Sequence, residues 1–277
     1  MKLIEPKVEL LSELDISPES HIARCARVCY GREYKEPNQE ADEMMVQGLI
    51  KRGHLSMLRH ASVYGRWWIG NPPSADCDNE LITTLRDGKG YGYASTNKQY
   101  ELEHTLDFPK ISPKELLEYA MTTPHLFYLF RLTFCITTQI STSRELNRVS
   151  PNNIAERSTR FCSSKDGLVI CKPWWWNDDN NRRINKIRYE SVILRAERGY
   201  RAMIDDDMKP EDARGMLPLD TATKVIYTYS IEEWKHIINL RYYGTTGIPH
   251  PNAKLVIGMV RKQINQFAKE HNINYQA

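Results

Sequence analysis

Residues 144–161 read Arg144-Glu145-Leu146-Asn147-Arg148-Val149-Ser150-Pro151-Asn152-Asn153-Ile154-Ala155-Glu156-Arg157-Ser158-Thr159-Arg160-Phe161. Four arginines and two glutamates sit among asparagine and hydroxyl side chains, with too few large apolar residues for a core element. Arginine carries a planar fork of donors that matches phosphate and stays charged at any working pH. Residue chemistry leaves two readings open, a solvated polar surface and a nucleotide-handling loop. Upstream, Leu126–Ile136 is rich in aromatic and branched residues and reads as a buried strand or a buried helix. It delivers the chain into the arginine-rich stretch, as a rigid scaffold presents binding groups.

The chain has 277 residues, 41% hydrophobic and 26% charged, with a formal net charge of +3. That is the balance of a globular protein with room for a sizeable core. So small a margin argues against a broad nucleic-acid or membrane surface. The six cysteines, Cys25, Cys29, Cys77, Cys135, Cys162 and Cys171, form no Cys-x-x-Cys pair. They read as free thiols in a reducing, cytoplasmic setting, and no metal site is expected. The N-terminus lacks a signal peptide's apolar centre, and no apolar run is long enough to span a bilayer.

Ser17-Pro18-Glu19 is a helix start, with Ile22, Cys25, Ala26 and Cys29 on one face and Arg24 and Arg27 on others; Arg27 reads as a solvated charge by default, with a ligand group as the alternative. A second helix is expected from about Gln39 to Lys51, with Met44, Met45 and Leu49 inward and Gly53 at its end. His54 and His60 lie at a helix-to-strand junction and read as polar groups satisfying the backbone. Ala61–Ile69 predicts a strand, and Leu81–Arg86 another, turned by Asp87-Gly88-Lys89-Gly90. Those glycines lack the spacing of a phosphate loop. Ser112 opens a helix with Glu115 as a capping box, and Ser230 opens another with Glu233. Trp174-Trp175-Trp176 with Arg182 and Arg183 reads as a tryptophan-anchored loop, with single-stranded nucleic acid as the alternative. A long charged helix is expected from about Asn181 to Asp205, with Ile184, Ile187, Val192, Ile193 and Ala196 among its apolar positions. Pro210–Pro218 is a short helical turn and Ala222–Tyr229 a strand. Trp234, Ile237, Ile238 and Leu240 give the next helix a buried side, and Arg241 ends it. Pro251 opens the last helix, striped by Leu255, Val256, Met259, Val260, Ile264 and Phe267. Strands and helices follow without strict alternation, which predicts an α+β class: a single domain over 1–277 with a mainly antiparallel sheet flanked by helices, and an insertion-like region at about 70–125.

Five segments, in order, resemble one family. His21–Tyr30 looks like the opening helix of the flavin-dependent thymidylate synthases, and Gly53-His54-Leu55-Ser56 through His60-Ala61-Ser62 like their Gly-His-x-Ser…His segment. Pro210–Pro218 is similar to their Pro-x-x-Ala-Arg-x-x-Leu-Pro motif, Trp234–Arg241 to their late helix, and His250-Pro251 to the helix start that follows. In the signature motif Arg148, Glu156, Ser158 and Arg160 match, while Val149 and Ser150 stand where the family has histidine and a second arginine. The late-helix start reads Ser230-Ile231-Glu232 where the family often has Asn-x-Arg.

The resemblance implies the thymidylate synthase-complementing protein fold and C5 methylation of deoxyuridine monophosphate (dUMP) to thymidylate. Methylenetetrahydrofolate would give the carbon, reduced FAD the hydride, and NADPH would restore the flavin. By the same resemblance Glu145, Arg148, Glu156, Ser158, Arg160, Arg214 and Arg241 bind substrate, and Arg241, Arg214 and Ser158 also serve the chemistry. His60, Ser62, Glu156, Ser230 and His236 would bind the cofactor. Subunits would meet as a homotetramer with the sites at their interfaces, and with no nucleic-acid or membrane partner. Hydroxymethylation of a pyrimidine nucleotide, with water replacing hydride, and non-catalytic nucleotide binding are the competing functions.

Overall fold

The computed structural model describes residues 1–32, 36, 38–73, 82–149, 153–160, 166–177 and 183–277. Expectations at Ser74, Cys77, Leu81, Ser150, Pro151, Asn152, Phe161, Cys162, Asp178, Asp179, Asn181 and Arg182 lie outside them. In chain order the elements are β1 (Lys2–Ile4), β2 (Lys7–Leu10), α1 (Pro18–Cys29), α2 (Gln39–Lys51), β3 (Ser62–Trp68), β4 (Thr83–Arg86), β5 (Tyr91–Asn97), α3 (Lys98–Glu103), β6 (Lys110–Ile111) and α4 (Pro113–Thr122). There follow β7 (Arg131–Gln139), α5 (Ile140–Asn147), β8 (Ile154–Glu156), β9 (Val169–Cys171), α6 (Arg183–Asp205), α7 (Pro210–Ala213), β10 (Ala222–Ser230), α8 (Ile231–Ile238) and α9 (Pro251–Glu270).

The class is mixed, with mainly antiparallel pairing, but among the described residues the single expected sheet becomes two four-stranded sheets and a two-stranded one. One has the order β2-β7-β10-β8 and the other β4-β5-β3-β6, while β1 and β9 pair in parallel. Residues from the region at 70–125 supply three strands of the second sheet. The Leu126–Ile136 run divides: a 3-10 turn over Pro124–Leu129 buries Leu126, Phe127 and Leu129, and then β7 begins. Every residue of β7 is buried, so both its faces need cover. Leu132, Phe134 and Ile136 pack into the main core with Trp234, Val256 and Ile264. On the opposite face Cys135 meets Cys25 of α1. Trp234 stands edge-on to Phe134 and donates its indole N–H to the Leu132 carbonyl at 3.0 Å.

Helix starts follow their caps. Ser17 accepts from the Ser20 amide, and both capping boxes, Ser112 with Glu115 and Ser230 with Glu233, form with reciprocal hydrogen bonds. Ser230→Ala is expected to cost about 1 kcal/mol of stability, read as a lower urea midpoint; an unchanged midpoint would show that the cap is dispensable. Gly53 and Gly88 take left-handed φ of +71° and +73°, as their turn roles require.

Other expectations are corrected. Met44 is exposed and Val46 takes its place inward. Leu255 is likewise exposed on α9. Ile184, Ile187 and Val192 of α6 face outward, and Ile193, Glu197 and Tyr200 are the buried positions. The late helix does not stop at Arg241 but loosens into a π turn, Asn239–Tyr243, closed by Gly244 at φ +74°. Arg24 and Arg27 are not solvated. Arg24 donates to the Ser12 carbonyl at 2.6 Å and contacts His21, and Arg27 pairs with Asp42. Among the described residues no helix is long and apolar enough to cross a membrane.

Candidate nucleotide site

The arginine-rich stretch divides between a helix, a strand and a turn. On α5, Ile140, Ser143 and Arg144 recur at i, i+3 and i+4, so all three meet one wall of a cleft of about 730 Å³. β8 ends at Glu156, and the chain then turns through residues 157–160. The Arg157 amide donates to the Lys224 carbonyl at 2.9 Å and the Ser158 amide to the Cys29 carbonyl at 2.9 Å. Ser158 Oγ accepts from the Arg160 amide at 3.1 Å. These bonds aim Arg157, Ser158 and Arg160 into the cleft. The opposite lip is α7 and the turn after it, bringing Glu211 and Arg214.

Four guanidinium groups, of Arg144, Arg157, Arg160 and Arg214, line this cleft with Glu156, Glu211 and Asp212. An arginine cluster of this kind suits a phosphate dianion. Across the lips Arg160 pairs with Glu211 at 3.1 Å. Among the described residues Arg214 Nη1 makes only a 3.5 Å contact, with Thr159 Oγ1. Glu211 therefore competes with any incoming anion for Arg160. Glu211→Gln should tighten inorganic phosphate binding by up to about fivefold, the worth of an exposed pair. Weaker binding in a calorimetric titration would refute that competition.

Of the substrate residues expected from sequence, Glu156, Ser158, Arg160 and Arg214 come together here. Glu145, Arg148 and Arg241 lie outside the lining. Arg241 Nε sits 3.5 Å from Glu145 Oε1, and Arg148 is the exposed residue that caps α5. Arg144 and Arg157 belong to the cleft although the family resemblance assigned them no role. The Ile140-Ser143-Arg144 spacing was the available signal.

The expected cofactor residues do not share a surface. His60 is fully buried, and its Nδ1 lies 2.8 Å from Thr228 Oγ1. The Ser62 amide and hydroxyl both donate to Glu13, at 3.0 and 3.1 Å. Ser230 is buried as a helix cap, and His236 is exposed on α8. Val149 packs against the main core. Only Glu156 reaches the cleft. Within this chain the set does not fit a flavin, whose ring and phosphates need exposed groups.

His60 instead ends a buried polar chain. Arg24 donates to His21 Nδ1, so His21 carries its proton on Nε2 and donates to Thr133 Oγ1 at 3.0 Å. Thr133 Oγ1 lies 2.8 Å from Thr228 Oγ1 and 3.5 Å from Glu13 Oε1, and Thr228 Oγ1 lies 2.8 Å from His60 Nδ1. Burial, with Arg131 and Arg59 nearby, pushes the His60 pKa down to about 3. Burial and then Arg24 hold His21 well below the usual histidine value. Burial raises that of Glu13.

The family model for thymidylate synthase complementing protein matches residues 92–264. No curated protein matches the chain. Among solved structures it is similar to the UMP/dUMP methylase PolB from Streptomyces cacaoi bound with 5-Br dUMP. That likeness has 15% identity and a TM-score of 0.45, over 97% of this chain and 93% of that one. The same protein bound with 5-Br UMP gives 14% identity and a TM-score of 0.47, over 98% and 93%. The family match spans more than half of the sequence and includes α5, β8, α7 and β10, the elements that build the cleft. The chain belongs to the thymidylate synthase complementing protein family.

Proposed function

We propose that this chain, acting as one domain over residues 1–277, binds dUMP and transfers a one-carbon unit to C5 of its uracil ring. The observation that carries the reading is the convergence of Arg144, Arg157, Arg160 and Arg214 with Glu156 and Ser158 in one cleft. The arginines bind the 5′-phosphate. Ser158 Oγ already accepts from the Arg160 amide, so its own proton is available to a phosphate oxygen. Positive charge held near the ring carbonyls stabilises charge that builds on oxygen as C5 becomes nucleophilic. No cysteine is needed as a nucleophile, and burial first of all raises the thiols of Cys25, Cys135 and Cys171 away from reactivity.

Methylenetetrahydrofolate is the carbon donor in this reading, and the working form is a cytoplasmic homotetramer. A methyl product needs a hydride, drawn finally from NADPH, whereas a hydroxymethyl product needs only water. His60 and Ser230 are buried within the chain, which favours the second reading as the alternative. The test is tritium release from C5-labelled dUMP with methylenetetrahydrofolate, with and without FAD and NADPH, and the mass of the product. Tritium release with a methyl product only when FAD is present supports methylation. Release without FAD and a hydroxymethyl product supports the alternative. A protein that binds dUMP and releases no tritium in either case refutes both.

A further inference from the structure

Glu156 is held more tightly than a simple cleft-wall carboxylate requires. Its Oε1 accepts from Ser143 Oγ at 2.8 Å and Thr223 Oγ1 at 3.0 Å. Its Oε2 accepts from Asn147 Nδ2 at 3.4 Å. Behind Asn147, the Tyr227 hydroxyl donates to Asn147 Oδ1 at 2.7 Å. Two periodicities meet at this point. Ser143 and Asn147 are one helical turn apart on α5. Thr223, Val225 and Tyr227 alternate along one face of β10, and Val225 pairs with Glu156 in register.

The amide of Asn147 has two orientations of equal shape. In one, Nδ2 donates to Glu156. In the other, Oδ1 faces the carboxylate and repels it. The Tyr227 proton selects the first, because it needs an acceptor where Oδ1 lies. Tyr227 is buried, which above all holds its phenol well over the usual tyrosine value and keeps the donor proton in place. A carboxylate has about four acceptor positions. Three are filled from behind, and the fourth, on Oε2, is left for the cleft.

We propose that Tyr227 and Asn147 are positioning residues that hold Glu156 so its remaining acceptor site reads a hydrogen-bond donor on the bound nucleotide. The donor is an N–H or O–H group: the ring N3–H of uracil or the sugar 3′-hydroxyl. This rests on the reading of the cleft as a mononucleotide site. The arginines that grip phosphate do not depend on Glu156, so phosphate affinity and nucleotide affinity separate the two ideas.

The experiment is calorimetric titration of wild type and Tyr227→Phe with inorganic phosphate, dUMP, dCMP and 2′,3′-dideoxyuridine monophosphate, with a thermal midpoint for each protein. In dCMP the ring N3 is an acceptor, and the dideoxy nucleotide lacks the 3′-hydroxyl. Wild type should bind one of these two analogues about tenfold more weakly than dUMP, and which one identifies the donor. Tyr227→Phe should lose about tenfold in dUMP affinity, keep its phosphate affinity and shrink the preference over that analogue. Asn147→Leu should behave alike. Unchanged dUMP affinity in Tyr227→Phe overturns the proposal. So does a parallel loss of phosphate and dUMP affinity with a lowered thermal midpoint, which is the mark of a merely structural role. Wild type that binds phosphate and all three nucleotides equally overturns it while leaving the phosphate site standing. Wild type that binds neither phosphate nor dUMP sinks the cleft reading, and this proposal with it.

Discussion

Arg214→Met should weaken dUMP binding by about 10- to 150-fold, the loss of a charge-assisted contact worth roughly 1.5–3 kcal/mol. Among the described residues its guanidinium makes a 3.5 Å contact with Thr159 and no ion pair. The phosphate therefore gains its full interaction with nothing displaced. Arg160→Met should cost less, since Arg160 must first give up Glu211. Arg148→Met, outside the cleft, should cost little. Arg214→Lys should recover only part of the loss, because a point charge does not reproduce the two-pronged fork. Calorimetric titration of dUMP into the four proteins reads the series. Equal losses at Arg148 and Arg214 would show that the cleft is not the phosphate site.

The second large effect is on stability in acid. His60 is buried neutral with a pKa of about 3, against 6.5 in the unfolded chain. A lowered folded value means that the unfolded state takes up the proton first. The contribution is therefore complete above pH 6.5 and is lost as the pH falls from there towards 3. At pH 5 this amounts to about 2 kcal/mol from His60 alone. His21 acts in the same direction, while Glu13, whose value is raised, partly opposes both. The arginines facing them, Arg24, Arg59 and Arg131, make a second positive charge there costlier still. Urea midpoints at pH 7 and pH 5 should differ strongly in wild type and less in His60→Gln, which cannot titrate. Equal pH dependence in the two proteins would show that His60 does not govern the acid limb.

How much of this was readable from sequence depended on the range of the forces involved. Local rules worked where a cap decides: Ser112 with Glu115, Ser230 with Glu233, and Ser17 ahead of α1. They failed for β5, whose Gly92 and Ala94 look unlike strand residues. The ring of Trp67 lies where a side chain on Gly92 would be, within 2.4 Å of the position of its Cβ. Only the neighbouring strand explains the glycine. Arg144 and Arg148 look alike in sequence, but α5 ends at Asn147, so only Arg144 is carried on the face that meets the cleft. His60 matched a family position expected to meet flavin. The burial that encloses it comes from Thr228, 168 residues away, which no local pattern reveals. Glu13 gave no sign at all, since a lone acid ordinarily reads as surface.

The cleft joins residues from α5, β8 and the turn after it to others from α7 onward, and β10 closes Glu156 through Thr223. In the order of synthesis this has a direct result. A nascent chain that has emerged only as far as Asp205 already carries Arg144, Arg157 and Arg160, but it has neither Arg214 nor the strand that pairs with β8. A chain stopped at that point thus carries much of the cleft's positive charge without the far lip or the strand that holds Glu156 in place.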